Sequence, residues 1–241
     1  MGQVSWLKGL IEGDGYIDDR HVEVYNSSST VLRETAKILK NLIATERIKV
    51  DIYTENPEEK LIGRWSRTLG IPQNNFRIRS VTSPWKARSE KIRVRVASKD
   101  LADKIRGTKK GASFIKGLFD AEGSVDIKGY IEFKQVERNK KLVEEVHRFV
   151  EELGLKTTPV RIKQDKLKKD AYFYVKDIRG YKQKIGFVDS DKTRKIEILL
   201  KVNNRNPSTI TATGKTLWQI IEETKCPYHV VRRHLIARQT R

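Results

Sequence analysis

An α+β fold built from two related halves is predicted for this chain of 241 residues. Three observations predict it: a nine-residue segment occurs twice, the same succession of strand and helix patterns follows each copy, and several strands alternate apolar with cationic residues. The first copy, residues 7–15, reads Leu-Lys-Gly-Leu-Ile-Glu-Gly-Asp-Gly, and the second, residues 115–123, reads Ile-Lys-Gly-Leu-Phe-Asp-Ala-Glu-Gly. Four of the nine positions are identical and the other five are chemically similar pairs. Self-similarity at a fixed offset is the mark of a duplicated unit.

Each copy has helical spacing and is followed by a short strand: Tyr16-Ile17-Asp18 in the first half, Ser124-Val125-Asp126 in the second. Next come strands at Val22-Glu23-Val24-Tyr25-Asn26 and Ile131-Glu132-Phe133-Lys134-Gln135. Helices are predicted over 30–44 and 139–153, with Gly154 as a C-cap. Strand alternation returns at 48–54, 76–82 and 91–97, then at 159–164 and 171–176. Each half thus reads αββαββα with an antiparallel sheet. The first half is longer by residues 56–75, where Pro57-Glu58-Glu59 opens an extra helix and Gly70-Ile71-Pro72 ends it. The expected domains are 1–108, 109–203 and a 204–241 extension. That extension starts with a linker at Asn203-Asn204-Arg205-Asn206-Pro207-Ser208 and continues as two helices, starting at Thr216 and Pro227, in a helix-turn-helix-like pattern.

Charge narrows the function. There are 50 Lys and Arg against 31 Asp and Glu, a net charge of +19, so the expected partner is polyanionic, most simply nucleic acid. No apolar run reaches the ~20 residues of a membrane span, no basic amphipathic helix stands out, and no signal peptide is expected. Trp6 breaks the myristoylation pattern. One cysteine, Cys226, rules out an intramolecular disulfide, and with four scattered histidines it argues against structural zinc. The expectation is an intracellular protein of the cytoplasm, the nucleoid or an organelle, with no membrane partner.

The repeated segment carries the chemistry. Gly9 and Gly13, and Gly117 and Ala121, stand four apart on one helix face, where small residues let two backbones approach. Packed through those faces, the helices would bring Asp14 and Glu122 side by side, each followed by a glycine able to end its helix. Paired carboxylates repel and lose hydration unless divalent cations neutralise them, and oxygen-rich sites with paired metals suit attack on phosphodiesters. The plain alternative is two packing helices with acidic C-caps, which the helix dipole disfavours.

Both segments resemble the signature of the LAGLIDADG homing endonucleases, in the single-chain, two-motif form, and the resemblance spans roughly residues 4–203. It implies a pseudo-two-fold monomer with two saddle-shaped sheets over double-stranded DNA and the signature helices at the central interface. It also implies Mg²⁺, two or more ions, held by Asp14 and Glu122 with help from the carbonyls of Gly13 and Ala121; Mn²⁺ or Ca²⁺ can substitute for binding. The segment Val188-Asp189-Ser190-Asp191-Lys192-Thr193-Arg194-Lys195 is similar to the one carrying the family's basic active-site lysine, which implies Lys192 as a transition-state stabiliser. A family polar residue late in the second strand, which orders water beside the metal, corresponds to Asn26 and Gln135. The first half has no clean counterpart of the Lys192 segment; Lys109 or Lys110 is a candidate against a plain solvated charge run.

The cationic strand faces are the expected DNA contacts. Lys91, Arg93 and Arg95 alternate with Ile92, Val94 and Val96, and Arg77 and Arg79 alternate less strictly with Phe76, Ile78 and Val81. Arg161 and Lys163 alternate with Val160 and Ile162. Tyr172, Tyr174 and Lys176 oppose Phe173 and Val175, and Lys128 and Lys134 share a face with Glu132. In the extension, the second helix would carry Tyr228, His229, Arg232 and Arg233 toward a groove; an ordinary helical cap is the alternative.

The leading expectation is a site-specific, Mg²⁺-dependent double-strand DNA endonuclease with a long asymmetric target. The runner-up is a non-cleaving nucleic-acid-binding protein: a maturase with intron RNA as partner, or a LAGLIDADG-like transcription factor. Relatives of that second kind often lose the acids; both are present here. An intein is not expected, because the ends Met-Gly-Gln-Val and Gln-Thr-Arg lack the nucleophile and His-Asn of splice junctions.

Overall fold

A computed structural model of the chain describes residues 2–81, 90–165, 168–202 and 214–239. Contacts divide it into two units, residues 1–122 with 187–189, and residues 123–186 with 190–241.

The first unit opens with α1 (Gly2–Asp14), which runs directly into β1 (Gly15–Ile17) and β2 (His21–Asn26). Then come α2 (Ser29–Lys40), β3 (Ile48–Thr54), α3 (Lys60–Leu69), β4 (Phe76–Ser80), β5 (Lys91–Ala97), α4 (Lys99–Arg106) and α5 (Ala112–Glu122). The sheet order is β1-β2-β5-β3-β4. All pairings are antiparallel except β3 with β4. The exception follows from the extra segment: a strand that returns after a crossover helix runs parallel to the one it left, and α3 is that helix. Gly70 ends α3 as predicted, at φ 61.

Hydrophobic periodicity accounts for these elements. On α2, Val31, Leu32, Thr35, Ala36, Ile38 and Leu39 are buried at helical spacing. On β5, Ile92, Val94 and Val96 are buried while Arg93 and Arg95 are partly buried and Lys91 is exposed. Helix α4 is capped by Ser98 Oγ, which accepts from the Leu101 N–H, and its cations Lys104 and Arg106 stand in the last turn. Helix α1 differs, because Ser5, Trp6, Leu7, Gly9, Leu10 and Ile11 are all buried. It packs against the sheet and against α5, so it needs more than one apolar stripe.

The second unit contains β6 (Gly123–Asp126), β7 (Tyr130–Val136), α6 (Lys140–Glu152), β8 (Arg161–Asp165), β9 (Lys168–Val175), α7 (Ile178–Lys184), α8 (Ser190–Leu200), α9 (Leu217–Thr224) and α10 (Tyr228–Gln239). Its antiparallel sheet has the order β6-β7-β9-β8. Val143, Val146 and Val150 anchor α6, and Gly154, at φ 71, follows its last turn as expected.

Strand β8 departs from its expected alternation. Ile162 is 46% exposed, and Arg161, Lys163 and Gln164 are exposed as well. It is an edge strand of the four-stranded sheet, with β9 as its sheet neighbour.

Helices α9 and α10 dock on α8. Ile220, Ile221, Cys226 and Val231 are buried with Ile198 of α8, and Ile127, Val202, Trp218, Tyr228, Val230 and Leu235 pack around them. Thr216 and Gln219 form a capping box at the start of α9. Arg194 Nη2 reaches Glu222 Oε2 at 2.5 Å, and the Lys195 ammonium stands 5.8 Å from the Trp218 ring centre. The predicted linker at 203–208 lies outside the described residues. Among the described residues, no helix is long and apolar enough to cross a membrane.

Candidate active site and nucleic-acid face

Two backbones touch where the repeated segments meet. A Cβ added to Gly9 would collide with the carbonyl oxygen of Phe114, and one added to Gly117 would collide with the carbonyl oxygen of Trp6. Equivalent positions of the two copies differ by 108 residues, so these two collisions are counterparts related by the repeat. Lower down, a Cβ on Gly13 would overlap Ala121 Cβ and stand 3.2 Å from Glu122 Cγ. The side chain of Glu122 therefore lies beside the residue preceding Asp14, and these two acids are the last residues of α5 and α1.

The glycines that follow do not end the helices in the expected way. Neither Gly15 nor Gly123 has positive φ; each begins a strand instead. Gly15 is small for another reason: an added Cβ would overlap the Glu23 carbonyl oxygen and lie 2.8 Å from Ile11 Cα. Strand β2 crosses too close to α1 for any side chain there.

Carboxylate oxygens are hard donors, and an Asp–Glu pair at the ends of touching helices fits a hard divalent cation such as Mg²⁺, Mn²⁺ or Ca²⁺. Two positions before Glu122, Asp120 is 2% exposed and does a different job. Its carboxylate accepts from Trp6 Nε1 at 2.7 Å and from the backbone N–H groups of Val188 and Asp189 at 2.8 and 3.0 Å. Glu12, at the matching position of the first copy, is half-exposed and lies 3.6 Å from Lys110 Nζ. Sequence reasoning missed Asp120, because its partners lie 114, 68 and 69 residues away and no local pattern marks them.

Asn26 and Gln135 are buried at the ends of their strands. Asn26 Oδ1 accepts from the Ser28 N–H at 2.8 Å, and Gln135 Oε1 accepts from Asn139 Nδ2 at 3.0 Å. Both thereby tie a strand end to the turn before the next helix. Lys192 lies in the first turn of α8 and is half-buried, a position where the helix dipole disfavours a cation. Lys110, one of the two candidate counterparts in the first half, lies beside Glu12 with its ammonium 4.9 Å from the Phe114 ring centre.

The first sheet turns one face to the core and a charged face outward. In register across it stand Tyr25, Arg93, Asp51 and Arg77 in one row, and Glu23, Arg95 and Lys49 in the next. Two buried acids thus sit among the predicted cations. Asp51 accepts from Arg93 Nη2 at 2.5 Å and from Arg79 Nε at 3.0 Å. Glu23 lies 3.5 Å from Arg93 and 3.9 Å from Arg95, and it accepts from the Tyr25 hydroxyl at 2.6 Å. Burial pushes the Asp51 carboxyl up, but the hydrogen bonds from Arg93 and Arg79 outweigh it and hold the group below its ordinary value.

On the second sheet, Lys134, Tyr172 and Arg161 form one row and Asp170 and Lys163 stand in another. Lys134 and Lys168 approach the buried Asp170 at 3.8 and 3.4 Å. The rings of Tyr130, Tyr174 and Tyr172 follow one another at 5.7 and 5.3 Å. Lys128 lies in the β6–β7 turn, where its N–H bonds Asp126, and Lys176 lies just past β9. Neither belongs to a strand face. On α10, Arg232, Arg233 and His229 are exposed and line a shallow surface depression with Tyr228 and Ile236.

The model of the LAGLIDADG-like domain matches this chain twice, over residues 2–77 and 110–186, more than half its length. The chain belongs to the LAGLIDADG family. Among solved structures, mesophilic variants of the homing endonuclease I-DmoI are similar over 77% of this chain and 95% of that one, at 20% identity and a TM-score of 0.51. I-DmoI in complex with DNA and Ca matches 81% of this chain and 97% of that one, at 18% identity and the same TM-score. Full-length DUF199/WhiA from Thermatoga maritima matches 85% of this chain and 62% of that one, at 14% identity and a TM-score of 0.46. The two LAGLIDADG repeats contain Asp14, Glu122, Asn26 and Gln135; α8 with Lys192, and the α9–α10 extension, follow the second repeat.

Proposed function

We propose that this LAGLIDADG protein is a site-specific double-strand DNA endonuclease that hydrolyses phosphodiester bonds with Mg²⁺, in the manner of intron homing. The observation that carries the reading is the pair Asp14 and Glu122, which end two helices touching backbone to backbone at Gly9 and Gly117. Two acids so placed supply the oxygen donors that a hard divalent cation takes.

Asp14 and Glu122, with the carbonyls of Gly13 and Ala121, would hold the divalent ions, and those ions would neutralise charge at the scissile phosphate and its leaving oxygen. Lys192 donates from its ammonium to the phosphate oxygens, where negative charge grows during the displacement. Asn26 and Gln135 fix the strand ends beside which the attacking water is oriented. The outward cations of each sheet bind the backbone and read bases in the major groove. The two sheets differ in strand number and in every charged row, which supports an asymmetric target.

Incubating the protein with random duplex DNA and Mg²⁺, then sequencing the newly formed ends, tests this. Recurrent paired cuts at one sequence that vanish with EDTA are expected. Tight, sequence-selective binding without any cut contradicts it and favours a non-cleaving DNA- or RNA-binding role.

A further inference from the structure

The charged face of the first sheet is an organised network rather than a row of solvated cations. Asp51 is 5% exposed at its centre. Its two oxygens have separate partners: Oδ2 accepts from Arg93 Nε and Nη2, and Oδ1 accepts from Arg79 Nε. Arg77 is the direct cross-strand neighbour of Asp51 on β4, yet the carboxylate reaches diagonally to Arg79.

The two arginines stand in different situations. Arg93 is only 17% exposed; it also lies 3.5 Å from Glu23 and 3.4 Å from the Tyr25 hydroxyl, with Tyr25 and Tyr53 rings flanking its guanidinium at 5.9 and 5.8 Å. It is an internal counter-ion. Arg79 is half exposed and meets Asp51 through Nε, a contact that does not use its terminal Nη1–Nη2 edge. That edge is the fork that matches guanine O6 and N7.

We propose that Asp51 is a positioning residue for base recognition, locking the guanidinium plane of Arg79 so that its terminal fork is presented to a guanine. The inference rests on reading this sheet as a DNA face. An acid on a surface meant for phosphates weakens non-specific attraction, and Arg93 already has Glu23 as a counter-ion, so neutralisation alone does not explain Asp51. Holding Nε removes rotamer freedom from a long side chain before DNA arrives, which is what sharpens a bidentate contact.

Selection from a random duplex library in EDTA, followed by sequencing of the bound fraction, tests it with the full chain. Wild type should favour guanine at one or more positions by roughly tenfold. Arg79→Ala and Arg79→Lys should both lose that preference, since lysine cannot form the fork. Asp51→Asn should lose the same preference while binding the bulk library more tightly, because a negative charge leaves a cationic face. In the Arg79→Ala background, Asp51→Asn should change no base preference further.

An Asp51→Asn protein that keeps the guanine preference overturns the proposal, and so does one that loses preference and bulk affinity together, as a merely structural residue would. If Asp51→Asn fails to fold, guanine preference retained by Arg79→Lys overturns it and preference lost there supports an oriented fork. Wild type that binds duplex without base preference overturns the positioning role but leaves the DNA-face reading standing. Wild type that binds no duplex at low salt overturns both.

Discussion

The indole Nε1 of Trp6 donates to the carboxylate of Asp120 at 2.7 Å, joining the first copy of the repeated segment to the second. The same carboxylate collects the backbone N–H groups of Val188 and Asp189, so one buried acid fixes α1, α5 and the segment leading into α8. Asparagine offers a single acceptor oxygen and sets an NH₂ against backbone donors. Asp120→Asn should therefore cost about 2 kcal/mol or more, with Trp6→Phe costing less because one donor is removed together with its need for a partner. Urea titrations of the three proteins measure this; unchanged midpoints would contradict it.

Gly9→Ala and Gly117→Ala should destabilise the protein to similar extents, because their collisions are reciprocal. Each added methyl overlaps a backbone carbonyl that cannot rotate away, so the helices must part, at a cost upwards of about 3 kcal/mol. Gly111→Ala is the control, with nothing within 4 Å of its added Cβ. Thermal melts of all three compare them, and a wild-type melting temperature for either helix variant would show that the backbones are not in contact.

Much of this was legible beforehand, and the exceptions share a cause. Alternation and helical spacing are local signals, so the repeated αββ pattern and the buried faces of α2, α6 and β5 could be read directly. The direction of β4 could not, because it depends on β3 and β4 being sheet neighbours, which no local pattern states. Alternation also says which face Arg79 and Arg93 share, but not that Asp51 and Glu23, on neighbouring strands, engage them. The same holds for Asp120, whose backbone partners lie 68 and 69 residues away. What the sequence concealed was pairing across long separations.

Asp18 gives a pH prediction. Backbone N–H groups of Arg20 and His21 point at its carboxylate, and with the His21 ring they lower its pKa to about 2. A depressed carboxyl pKa means that the folded state prefers the ionised form. The hairpin stabilisation is therefore fully present above the ordinary carboxylate range near 4 and is lost as pH falls through about 2. An NMR titration of the Asp18 carboxyl should give a midpoint near 2; a midpoint near 4 would contradict the turn geometry.

The α9–α10 extension separates into a core and an outer face. Deleting 205–241 would uncover Ile198, so truncation should lower stability whatever the segment does with DNA. Arg232→Ala with Arg233→Ala leaves that core untouched. If the exposed face of α10 contacts phosphates, the double variant should melt normally, bind duplex DNA more weakly and show a log–log salt slope shallower by roughly 0.9 per lost contact. Unchanged affinity and slope would make the extension a structural cap.

The central claim is that Asp14 and Glu122 together hold the ions that cut DNA. The direct measurement is cleavage of the duplex recovered from the random-library experiment, in Mg²⁺, by wild type, Asp14→Asn and Glu122→Gln at saturating protein. Each substitution should reduce double-strand cutting at least ~100-fold, since losing a ligand exceeds the 10–100-fold cost typical of disturbing its supports, while the variants still shift the same duplex in a gel. Full-rate cutting by either variant would contradict the claim.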